Sequence, residues 1–127
     1  MDLVESIMTY PPQRVSSEMS IRDVAKGMFS ERLRALLVKE NENDVGIVTY
    51  TNLANLCIAK RIDPETTAIK EIMNSPILTI GHDKSIVTAA ELMLEKGVRH
   101  LAVIKGKKII GMLDITEVLA HLLNVKG

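Results

Sequence analysis

The amino-acid sequence is written twice. Residues 7–53 lie on residues 72–118 without a gap, and each position meets its counterpart 65 residues later: Ile7-Met8 with Ile72-Met73, Ser20-Ile21 with Ser85-Ile86, Met28 with Met93, Gly46 with Gly111, Thr51 with Thr116. A sequence repeated at a fixed offset is one supersecondary unit used twice. With 127 residues in all, neither copy is long enough to stand alone, so the two form a pseudo-two-fold pair sharing one core. A unit packed on its own copy creates a cleft between equivalent elements, and clefts of that kind are where small ligands usually sit.

Each copy reads as β-α-β-β-α. Glu5-Ser6-Ile7-Met8 leads to a turn at Tyr10-Pro11-Pro12 and an extended piece around Arg14-Val15-Ser16; Glu71-Ile72-Met73, Pro76 and Ile77–Ile80 repeat it. Ile21, Val24, Ala25, Met28 and Phe29 are spaced to share one helix face, as are Ile86, Ala89, Ala90, Met93 and Leu94. Ser20 and Ser85 are the N-caps, with Asp23 completing an approximate capping box, and Gly97 is placed to end the second helix. Two hairpins follow, Ala35–Lys39 with Val45–Tyr50 and His100–Lys105 with Lys108–Asp114, and a further helix closes each copy.

Sixteen basic and sixteen acidic residues cancel and are interspersed, so there is no basic stripe for nucleic acid. The apolar runs fall far short of a membrane span, and the acidic start lacks the basic region of a signal peptide. Cys57 is the one cysteine, which rules out an internal disulfide and fits a reducing cytoplasm. It shares a helical stripe with Leu53 and Leu56, the pattern of a buried structural thiol. His82 and His121 have no ligand-spaced companions, so no metal site is expected and both should be exposed. No nucleophile elbow, Walker loop or dinucleotide glycine triplet is present, and the chain is not expected to be an enzyme.

The ordered set of Ile-Met, Pro, a Ser-Ile-led helix with Ala and Met, Val98-Arg99-His100-Leu101 and Gly46-Ile47-Val48-Thr49 resembles the cystathionine-beta-synthase (CBS) domain pair, or Bateman module. The resemblance covers nearly the whole chain, with motif 1 over residues 1–62 and motif 2 over residues 63–127. It implies an α+β fold of two tandem CBS motifs, packed through their sheets with pseudo-two-fold symmetry into one module. It also implies up to two clefts per chain for adenosine-containing ligands such as AMP, ADP, ATP or S-adenosylmethionine, disc-like homodimers, and a regulatory role.

In that family the ligand pattern is Gly, two apolar residues, Thr or Ser, two variable residues, then Asp or Asn. Repeat 1 carries it as Gly46-Ile47-Val48-Thr49-Tyr50-Thr51-Asn52, so the resemblance marks Ile47, Thr49 and Asn52. By the same resemblance, the turn Thr9, Tyr10, Pro11, continuing to Val15, offers backbone groups and apolar surface to an adenine. Thr49 lies where a strand gives way to a helix, so its hydroxyl and the first helix amides can meet a phosphate, with Asn52 one turn on for ribose hydroxyls. Thr-x-x-Asn is equally an ordinary helix cap, and the two roles are compatible. Arg34 and Arg99, with His100, hold a place where basic residues of the family face phosphates; a surface ion pair is the competing role.

Repeat 2 departs from the pattern, reading Gly111-Met112-Leu113-Asp114-Ile115-Thr116-Glu117. Asp-x-x-Glu is a capping box. A phosphate beside Asp114 would cost about 4 kcal/mol for unit charges about 4 Å apart at an effective dielectric near 20, against a gain of up to ~2 kcal/mol from the helix terminus. One phosphate-competent site per chain is therefore expected, in repeat 1. The second cleft is expected to be empty or to take a ligand without phosphate, such as a nucleoside or the sulfonium of S-adenosylmethionine.

The function that follows is a regulatory adenosyl-ligand sensor of the AMP, ADP or ATP class, signalling to an unidentified partner protein. The alternatives are a ligand-free dimerisation module, with Ala54 and Ile58 off the apolar stripe and free to meet another chain, or a binder of S-adenosylmethionine or methylthioadenosine.

Overall fold

Ser20 and Ser85 begin the first long helix of each repeat. The Ser20 hydroxyl accepts from the Asp23 N–H and the Ser85 hydroxyl from the Thr88 N–H, each at 3.1 Å, which satisfies one of the amides a helix start leaves unpaired. The computed structural model, which describes residues 2–59 and 61–124, shows β1 (Arg14–Ser16), α1 (Ile21–Glu31), β2 (Ala35–Glu40), β3 (Asn43–Thr49) and α2 (Tyr50–Ile58) in the first repeat. The second has β4 (Thr79–Gly81), α3 (Ile86–Lys96), β5 (His100–Lys105), β6 (Lys108–Asp114) and α4 (Ile115–Leu122). The fold is α+β, with β-α-β-β-α twice.

Each repeat builds a three-stranded sheet, ordered β1-β2-β3 and β4-β5-β6. The first strand is parallel to the second, as a helical crossover allows, and the hairpin partner is antiparallel. The hairpin register puts Ala35 opposite Thr49 and His100 opposite Asp114. These two pairs occupy equivalent places in the repeats.

The residues form two compact units, Gln13–Ile77, called unit 2 here, and Met1–Pro12 together with Leu78–Gly127, called unit 1. The core of unit 2 is Ile21, Val24 and Met28 of α1, Leu36 and Val38 of β2, Val48 of β3, Leu53 of α2, and Ile69. Ile86, Ala89, Met93, Leu101, Val103, Leu113, Val118 and Val4 form the corresponding core of unit 1, joined by Ile80. Val4 and Ile69, both fully buried, thus each plug a core built mostly from the other repeat's sequence. They enter through equivalent 3-10 turns, Val4–Ser6 and Ile69–Glu71.

Several expectations are corrected. Phe29, although spaced with the α1 stripe, is 62% exposed and Leu94, its counterpart on α3, 78% exposed; each lies one turn beyond a residue of the stripe, Ala25 or Ala90, that is itself only partly buried. Phe29 instead meets the ring of Tyr50, centroids 6.0 Å apart. Cys57 is exposed and not buried. The buried face of α2 carries Asn52 and Leu53, and the inclusion of a polar residue rotates that face away from Cys57. His82 is half-buried, with Nδ1 3.0 Å from the Glu5 carboxylate, and His121 is exposed, 2.8 Å from Asp2.

Candidate functional site

Strand β3 delivers Thr49 to the start of α2, and the helix brings Asn52 back over it. The Thr49 N–H donates to Asn52 Oδ1 at 2.7 Å, the return arm of a capping box, and the Thr49 hydroxyl donates to the same oxygen at 3.1 Å. Asn52 Nδ2 then donates to Asn74 Oδ1 at 3.2 Å. Thr49 and Asn52 are 9% and 6% exposed, so an uncharged polar cluster is held out of water with its hydrogen bonds made.

Asn74 reaches this place through a two-residue backbone bridge. The Ile47 N–H donates to the Asn74 carbonyl at 3.0 Å, and the Asn74 N–H donates to the Ile47 carbonyl at 2.8 Å. Gly46 makes the approach feasible: a Cβ there would collide with the Met73 side chain, lying 2.8 Å from its Cγ and 3.0 Å from the Asn74 carbonyl. No sequence pattern marks Asn74 as a site residue. The available signal was its position one residue after the repeated Ile-Met, where repeat 1 has Thr9.

Unit 1 repeats this backbone arrangement with other side chains. Thr9 and Met112 exchange N–H to carbonyl bonds of 2.8 and 2.9 Å, beside Gly111, whose added Cβ would sit 2.9 Å from Met8 Cγ. Asp114 stands where unit 2 has Thr49. Its Oδ1 accepts from the Thr116 N–H at 2.7 Å and the Thr116 hydroxyl at 2.8 Å, and its Oδ2 lies 3.2 Å from His100 Nε2. The cap therefore runs to Thr116, two residues on, and not to Glu117 as the Asp-x-x-Glu spacing suggested. Burial by itself would raise the Asp114 pKa, but the hydrogen bonds from His100 and from the Thr116 backbone and hydroxyl, together with the charge of His100, hold it well below the usual carboxylate range. The Asp114 carboxylate at the mouth of unit 1 is therefore ionised at neutral pH.

The remaining expected site residues are distributed as follows. In unit 2, Ile47 is 7% exposed, Val15 packs on the core, and Arg34 is exposed at the start of β2. In unit 1, Tyr10 is 72% exposed, Pro11 follows it through a cis peptide, a feature shared by Ser75-Pro76, and Arg99 is exposed. Unit 2 thus groups Ile47, Thr49 and Asn52 around Asn74, while unit 1 groups Thr9 with Met112 and His100 with Asp114. Asn52 also lines a cavity of about 190 Å³ with Asn55, Leu56, Ala59, Ile62 and Ile72. Among the described residues, no three His, Cys, Asp or Glu side chains cluster as a metal ion would require, and no helix is long and apolar enough to cross a membrane.

The CBS domain family model matches residues 4–58 and 69–124. An uncharacterized protein of Methanopyrus kandleri is 25% identical over 114 residues, which are 89% of this chain and 56% of that protein. The chain therefore spans little more than half the length of that relative. A CBS-domain protein of Burkholderia ambifaria has a solved structure with a TM-score of 0.89 at 25% identity, covering 99% of this chain and 97% of the other. The CBS domain pair of protein MJ0100, solved in complex with 5'-methylthioadenosine and S-adenosyl-L-methionine, shares the fold with a TM-score of 0.86 at 22% identity, covering 98% of each chain.

Proposed function

This chain belongs to the CBS domain family as a tandem pair of motifs, and from that premise we propose that it is a regulatory module whose unit 2 mouth binds an adenine nucleotide of the AMP, ADP or ATP class. One contrast carries the proposal: Thr49 and Asn52 at the unit 2 mouth are buried and uncharged, while the equivalent place in unit 1 holds the ionised carboxylate of Asp114. A phosphate approaching the start of α2 meets helix amides without an opposing charge. At the start of α4 it meets a carboxylate, and the repulsion of about 4 kcal/mol estimated for unit charges in such a setting outweighs the helix terminus. Support for the adenosyl class comes from the MJ0100 pair, which takes methylthioadenosine and S-adenosylmethionine.

That neighbour also favours a second reading, in which the ligand is S-adenosylmethionine or methylthioadenosine. The acidic mouth of unit 1 suits a sulfonium cation better than a phosphate. Either ligand acts on a partner only through a difference in affinity for two states of the module, typically worth about 1–3 kcal/mol. Self-association into homodimers is part of the proposal, and exposed apolar side chains such as Ile58, 77% exposed on α2, support it.

A thermal-shift panel of AMP, ADP, ATP, S-adenosylmethionine and methylthioadenosine tests the ligand class. A ligand at a hundred times its Kd stabilises by about 2.7 kcal/mol, which is several degrees of Tm for a domain of this size. We expect a nucleotide shift that Thr49→Ala and Asn52→Ala each reduce. A nucleotide shift that survives both substitutions would remove the site from unit 2.

A further inference from the structure

The direction of every hydrogen bond in the Thr49, Asn52, Asn74 chain follows from one group that has no choice. A backbone N–H can only donate, so the Asn52 atom 2.7 Å from the Thr49 nitrogen is the carboxamide oxygen. The Thr49 hydroxyl donates to that same oxygen, which uses both of its lone pairs. The other end of the Asn52 carboxamide is therefore NH2, and the Asn74 atom 3.2 Å from it is an oxygen. Asn74, itself exposed, keeps its own NH2 as the outer end of the chain. Asn52 is 6% exposed, so it cannot relieve the constraint by turning into water, and a reversed amide would leave buried groups unpaired.

We infer that this relay makes the unit 2 mouth donor-presenting at Asn74, and so favours, among adenosyl ligands, those that bring a charged acceptor there, such as a phosphate oxygen, over those that bring a hydroxyl, whose neutral oxygen accepts more weakly. The inference rests on the nucleotide reading of the same mouth. It has a distinctive consequence for Asn52→Asp. A carboxylate at 52 still accepts from the Thr49 N–H, but its second oxygen also accepts, so Asn74 turns its NH2 inward and its carbonyl oxygen becomes the outer group. One change at a buried position inverts the polarity of an exposed one.

Two measurements test the relay. In the protein without ligand, side-chain amide hydrogen exchange followed by NMR should show the Asn52 NH2 protected and the Asn74 NH2 exchanging fast, with Asn74 becoming protected in Asn52→Asp. An Asn74 NH2 that exchanges equally fast in both proteins overturns the relay. Calorimetry of AMP and adenosine with the wild type, Asn52→Asp, Asn74→Ala and the double variant then separates relayed polarity from added charge. We expect Asn52→Asp to lower the AMP-to-adenosine affinity ratio at least about fivefold more when Asn74 is present than when it is Ala, a coupling of the size contacting residues show. An equal drop in both backgrounds is direct repulsion by the carboxylate and overturns the relay while leaving the nucleotide site standing. Wild-type protein with the expected exchange pattern and no AMP binding overturns the nucleotide reading, and the selectivity with it.

Discussion

Asp114 is a carboxylate whose ionised form is stabilised by three donors despite its burial. Because its pKa in the folded protein is depressed, the group stabilises the fold in full above the unfolded value of about 3.9, and that contribution is lost as pH falls from there toward the folded value. Thermal unfolding from pH 6 down to pH 3 should therefore show a steeper acid-side fall of Tm in the wild type than in Asp114→Asn; parallel curves would show that Asp114 does not carry the dependence. A second residue marks an asymmetry between the copies. α1 ends on Arg32 in the left-handed region, φ 56°, where α3 ends on Gly97, φ 66°. A side chain is strained there and glycine is not. Arg32→Gly should raise stability by roughly 0.5–1 kcal/mol in denaturant unfolding, since glycine relieves the left-handed strain, and a loss would mean that the Arg32 side chain stabilises more than its backbone costs.

The short segments ahead of β1 and β4 tie sequence to site. Each runs across a glycine of a hairpin strand, Met73-Asn74 over Gly46 and Met8-Thr9 over Gly111. Gly46→Ala should cost about 1–3 kcal/mol, the usual penalty for overfilling a packed place, and should weaken nucleotide binding by moving Asn74. Gly27→Ala on α1, where an added Cβ meets nothing within 4 Å, is the matched control and should be neutral or stabilising by up to ~1 kcal/mol in the same unfolding experiment. Equal effects of the two substitutions would contradict the close crossing.

The helices and hairpins were legible at this scale because each has a local cause. Ser20 and Ser85 cap, the Ile21 and Ile86 stripes repeat at helical spacing, and β5 and β6 begin and end where alternation and the Gly106-Lys107 turn place them. The association of Asn74 with Ile47, and of Thr9 with Met112, was not legible. Both turns and both strands share one framework, so either pairing satisfies the local pattern, and only the path of the chain decides. The side of α2 that is buried does not follow from its apolar stripe for a related reason. Asn52 is a polar residue at a buried position, and an apolar stripe through Leu53, Leu56 and Cys57 passes beside it.

Across the whole molecule, the duplicated framework is kept while polar positions at the strand ends diverge. Val4 and Ile69, Met28 and Met93, and Leu53 and Val118 fill equivalent core places, while the mouths differ in charge: Thr49 and Asn52 in one, Asp114 and Glu117 in the other. Hydrophobic matching keeps both copies foldable, and it leaves the polar ends of β3 and β6 free to diverge. On the proposed function, this difference makes the two mouths unequal toward phosphate. Calorimetric titration of AMP distinguishes them: we expect one AMP per chain, lost in Asn52→Ala, with Asp114→Thr raising the stoichiometry toward two, whereas two AMP per chain in the wild type, or one that persists in Asn52→Ala, would contradict the inequality.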